Sequence, residues 1–136
     1  MKTALAALPL AALLIAASDA PKKAAIMDVV AHPEKFDGRQ LKLRGLLVYE
    51  FENYGLYASR ADYCAHHRSI YVEWDHVPGV TRADTRRMAV ITGRLVLRGV
   101  GDPINISNAQ NGPGPLRDTA LVKWDSEPMA PCPTGR

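Results

Sequence analysis

The sequence predicts a mostly-β fold: a small, strongly curved barrel of five strands with one short helix in front of it. Three observations carry this. In residues 33–49 (PEKFDGRQLKLRGLLVY) a turn leads into an alternating run, with Leu41, Leu43, Gly45 and Leu47 on one face and Gln40, Lys42 and Arg44 on the other. Residues 89–97 (AVITGRLVL) repeat the device, with Ala89, Ile91, Gly93, Leu95 and Leu97 sharing a face. Alternation with a period of two marks a half-buried strand. A glycine on the apolar side of such a strand marks a bend, a bulge or a close backbone approach. Third, strand-like runs recur between turn residues from position 39 to position 124, while only one short segment has helical spacing.

Taken in order, residues 1–20 read as a secretory signal peptide. Lys2 provides a positive start, residues 4–17 are an apolar run of Ala, Leu and Ile broken by one Pro, and Ser18 and Ala20 are small residues at a cleavage site. The run is shorter than the roughly 20 residues that a spanning helix requires. The expected product is a periplasmic or secreted chain starting at Pro21, with no membrane span after cleavage. Residues 21–126 form the domain and 127–136, with Pro128, Pro131 and Pro133, a C-terminal tail.

After a short leader, Ile26, Val29 and Val30 fall at i, i+3 and i+4, one or two helical turns with an apolar stripe. Pro33 ends them, because the residue before proline is steered out of the helical region. Asp37-Gly38 turns the chain into a first strand over about 39–50. A second strand covers 55–59, and 60–69 is irregular or briefly helical. The third strand is 70–74 (IYVEW), with Ile70, Val72 and Trp74 on one face. Thr81 and Asp84 have the spacing of a capping box, so 82–87 is a short helix or a plain loop. The fourth strand covers 88–98, and a long loop rich in Gly, Pro and Asn follows over 99–117. The fifth strand ends at Trp124. Five strands with a preceding helix fit a Greek-key barrel of the OB (oligonucleotide/oligosaccharide-binding) type better than a sandwich, which commonly has seven or more strands.

Residues 32–39 (HPEKFDGR), the strand with Gly45, residues 56–63 (LYASRADY), residues 70–74 and the strand with Gly93 resemble a group of small, uncharacterised bacterial exported proteins. The resemblance covers roughly 26–124 and implies an OB-like fold, with a more distant likeness to bacterial OB-fold periplasmic binding domains. Members of that group carry a glycine-rich loop with a histidine before the last strand. Here Gly112 and Gly114 are present and the histidine is not.

The 136 residues carry a net charge of +3, and the charges are mixed along the chain with no block of like sign. That pattern reads as solvated surface, and with export it makes nucleic acid an unexpected partner. Cys64 and Cys132 are an even pair, which in an oxidising compartment favours a disulfide; free thiols, or Cys64 as a metal ligand, are the alternatives. Asp62, Cys64, His66 and His67 are the densest set of metal-ligand types, and a metal-binding or metal-dependent hydrolytic protein is the alternative function. The sequence has no nucleophile-elbow, P-loop or C-x-x-C motif. The expected function is therefore a non-catalytic binding module without a cofactor, for an envelope oligosaccharide, a peptidoglycan fragment or a protein partner. By analogy with OB barrels the ligand would lie across strands 2 and 3, on outward Tyr57 and Tyr71, with Arg44, Arg60 and Arg68 as a positive rim.

Overall fold

The structure, a computed structural model, describes residues 20–50, 53–73, 77–97 and 112–134. The signal-like segment over residues 1–19, the third-strand Trp74 and most of the long loop after the fourth strand lie outside the described residues. No described helix is long and apolar enough to cross a membrane.

One sheet organises the chain. Its strands are β1 (Lys22–Lys23), β2 (Gln40–Glu50), β3 (Asn53–Tyr57), β4 (Ile70–Tyr71), β5 (Arg87–Leu95) and β6 (Leu116–Trp124), with helices α1 (Ile26–Ala31) and α2 (Arg60–Cys64). The order across the sheet is β4-β3-β2-β5-β6, antiparallel throughout, and β1 adds to β2 as a short parallel strand. The sheet is not closed by a continuous ladder. An isolated parallel bridge between Val72 and Leu116 links the residue after β4 to the start of β6. The stretch read from sequence as a short leader thus contains a strand. The capping box at Thr81 and Asp84 forms, on a single 3₁₀ turn over Arg82–Asp84.

β2 is long enough to serve two neighbours in succession. Residues 40–47 pair with β5, and residues 46–50 pair with β3 on the opposite edge. Its inner face supplies Leu41, Leu43 and Leu47 to a core shared with Leu56, Ile70, Val72, Ala89, Ile91, Leu95 and Leu116. Helix α1 closes this core with Ile26 and Val29, the two buried positions of its apolar stripe. Gly45 and Gly93 sit where the sequence places them, on the inner face with no room for a side chain. A Cβ at Gly45 would run into Ile26 Cδ1 and the Tyr57 carbonyl, so the glycine lets α1 and β3 approach β2. A Cβ at Gly93 would lie 2.6 Å from Leu116 Cγ, at a register shift where β6 passes β5.

The outer face of β2 changes character along its length. Lys42 and Arg44 point out as predicted, but Leu46 and Val48 on the same side are fully buried. They form a second cluster with Tyr57 and Met88, against which Tyr63 of α2 and Met129 of the tail pack. The tail is held there by polar contacts. Met129 N donates to the Arg86 carbonyl at 2.8 Å and Arg86 Nε returns a bond to the Met129 carbonyl at 3.0 Å. Arg60 donates to the carbonyls of Ala130 (3.2 Å) and Pro131 (2.8 Å). The Cys64–Cys132 disulfide, with its Cα atoms 5.4 Å apart, ties the tail to α2.

Candidate functional site

The residues predicted to form a ligand face on strands 2 and 3 do not assemble into one. Tyr57 is a correction: its side chain was expected to face solvent, and it is 4% exposed. β3 is covered on both sides, by the main core at Leu56 and by the second cluster at Tyr57, so alternation along it does not separate wet from dry. The Tyr57 hydroxyl donates to Asn53 Oδ1 at 3.1 Å, and its ring meets Tyr63 edge-on. Arg60 faces the tail carbonyls instead of a rim. Tyr71 is half-buried in β4, and Arg68 is exposed in the connection before that strand. Arg44 points outward, but into a different site, built with β1, β5 and β6.

Loop 62–67 also has an internal structural role. Ser59 caps α2: its hydroxyl accepts from the Asp62 amide at 3.1 Å and donates to Asp62 Oδ2 at 2.6 Å. Asp62 Oδ1 lies 2.7 Å from His67 Nδ1. The hydrogen bond from Ser59, and then the one with His67, hold the Asp62 carboxyl below its ordinary range. His66 is exposed, with a left-handed φ of 57°. The disulfide takes the Cys64 sulfur out of the suggested ligand set, and among the described residues no three His, Cys, Asp or Glu side chains gather as a metal site would require.

Next to that cluster, Tyr63 donates to Glu50 Oε2 at 2.6 Å, while Arg86 holds Glu50 Oε1 at 2.7 Å. Burial, reinforced by the Glu50 carboxylate, pushes the Tyr63 phenol up to about 12 from an ordinary 10.0. A pKa raised in the folded state means stability that is intact below pH 10.0 and is lost as pH rises towards about 12. In an ultraviolet titration one of the five tyrosines should therefore ionise last, together with unfolding. Glu50→Gln should move that step towards neutral pH, and an unchanged titration would refute the assignment.

Among the described residues the structure assembles a cleft of about 540 Å³ on the outer face of the sheet, lined by Lys23, Ala24, Ala25, Lys42, Leu43, Arg44, Val90, Lys123 and Asp125. Register explains the gathering. Lys23 pairs with Lys42 across β1 and β2; Arg44 pairs with Val90, and Val90 with Lys123, across β2, β5 and β6. Four cations therefore occupy two adjoining rows beside Ala24, Ala25 and Val90. One carboxylate enters the cleft. Asp125 Oδ2 accepts from Arg44 Nε at 2.7 Å, and Asp125 Oδ1 pairs with Lys123 Nζ at 3.2 Å. These bonds, Arg44 first, hold the Asp125 carboxyl below its usual range, so it is ionised at neutral pH. Sequence reasoning reached Lys42 and Arg44 through their alternation. It missed Lys23, Lys123 and Asp125, because only the register of four strands brings them to the same place. The nearest signal was the Lys-Trp-Asp ending of the last strand, which puts Lys123 and Asp125 on one side.

No protein-family model, no curated protein and no solved structure matches the chain.

Proposed function

We propose that the protein is an exported, non-catalytic binding module with an OB-like barrel, which takes an envelope oligosaccharide, a peptidoglycan fragment or a protein partner on the outer face of its sheet. The basic cleft carries this reading. It is concave, combines apolar surface with charged groups, and holds four cations against one carboxylate, which is the composition of a binding site for an anionic ligand. The disulfide supports export, since such bonds persist where thiols are oxidised. The barrel is supported by the Val72–Leu116 bridge and by two bonds beside it, from Tyr71 N to the Pro113 carbonyl at 2.9 Å and from Glu73 N to the Leu116 carbonyl at 3.1 Å. They link β4 and the two residues after it to the start of β6 and the segment before it.

A glycan and muropeptide array tests the function. The wild type should retain anionic members over neutral ones, more weakly as salt rises. Lys42→Glu with Lys123→Glu should abolish retention in a protein that remains folded, while Tyr71→Ala should not. Loss with Tyr71→Ala alone would move the site back to β3 and β4. A wild type that retains nothing would remove the reading.

A further inference from the structure

We infer that the cleft binds a phosphomonoester, with the phosphate between Lys23 and Lys42 and its carrier against the apolar surface beside them. The inference rests on the binding role proposed above and specifies the chemistry of the ligand.

The cations of the cleft are not equivalent. Arg44 and Lys123 share Asp125, so their charge is partly answered within the protein. Lys23 and Lys42 are different. They are direct partners across the β1–β2 pair, and among the described residues no carboxylate is paired with either. Like charges side by side on neighbouring strands repel. A bound dianion would remove that repulsion and gain two charge-assisted contacts. A phosphomonoester carries about −1.5 to −2 charges at pH 7, which matches two lysines, whereas a sugar carboxylate brings one. Asp125 tightens the choice, because it fills the Arg44–Lys123 half of the cleft with negative charge and leaves the Lys23–Lys42 half for the incoming anion. Ala24, Ala25 and Val90 offer apolar surface beside it, and about 540 Å³ is ample for one pyranose ring.

The probes are glucose 6-phosphate, glucose, glucuronic acid and inorganic phosphate, titrated into the oxidised protein by calorimetry. Glucose 6-phosphate should bind most tightly, inorganic phosphate more weakly, and glucose not at all. Binding should weaken as the solution is taken below about pH 6, where the phosphate loses its second charge. Lys23→Gln and Lys42→Gln should each lower affinity roughly tenfold, the scale of one charged contact. Asp125→Asn should raise affinity, a change that general damage to the fold would not produce. Failure of glucose 6-phosphate to bind, or indifference to both lysine changes, overturns the inference. Equal binding of inorganic phosphate overturns the role of the apolar surface. Glucuronate binding as tightly as glucose 6-phosphate, and lost in Lys42→Gln, overturns the phosphate assignment but leaves the binding function standing. The function falls separately, if the array is also silent.

Discussion

Removing the Cys64–Cys132 bond, by reduction or as Cys132→Ser, is expected to lower stability by about 4 kcal/mol, the chain-entropy value for a loop of this length. The two cysteines are 68 residues apart in sequence, so the bond restrains more than half of the domain in the unfolded state. The native state also loses an anchor. Arg86, Arg60 and the Met129 side chain hold the tail only through contacts that need it close by. For a domain of this size, that loss corresponds to a fall in Tm on the order of 15 °C. Thermal unfolding with and without reductant measures it. A shift of a degree or two would mean that the bond restrains the unfolded chain far less than its loop length implies. The double variant Cys64→Ser with Cys132→Ser separates loss of the crosslink from any effect of a free thiol.

Gly45→Val is the second large effect, with an expected cost of about 3 kcal/mol. The new Cβ would meet two kinds of obstacle. Ile26 can turn away, but the Tyr57 carbonyl is backbone in a paired strand and cannot. Relief requires β3 to part from β2 where the Leu46–Tyr57 pair begins the ladder, and it opens both clusters together. Gly93→Val is expected to cost less, because its nearest obstacle is the Leu116 side chain. Denaturant unfolding of the two variants gives the ranking. If Gly93→Val proved the more damaging, or if Gly45→Val were neutral, the close approach of α1 and β3 at Gly45 would be wrong.

Local regularities made much of this fold legible. The alternation in residues 40–47, the glycines at 45 and 93, the stop at Pro33 and the pairing of the two cysteines depend on neighbours in sequence or on simple counting. Tyr57 was not legible for a physical reason. The cluster around it draws Tyr63 from α2 and Met129 from a tail more than seventy positions away, so alternation in β3 distinguishes two faces without saying that both are dry. The basic cleft was hidden in the same way. Lys42 and Arg44 are visible as a pair, but Lys23, Lys123 and Asp125 reach them only through parallel pairing at β1 and the register of β5 with β6.

The second cluster has a consequence for how the chain is made. Residues 46–49 are four apolar or aromatic residues in a row, with strong strand preference and no charge. In the folded protein one side is sealed by the main core and the other by the second cluster, to which the tail adds Met129. The tail lies far downstream of these residues in the sequence, and its anchor is an oxidised sulfur pair. While that pair is reduced, Met129 is not held over the cluster of Leu46 and Val48, and an incompletely covered apolar strand is the kind of segment that templates aggregation. Production under reducing conditions should therefore yield inclusion bodies or soluble aggregates, and production with oxidation a monodisperse protein. The charges at Lys42 and Arg44, just upstream on the same face, are placed to act as gatekeepers during that interval.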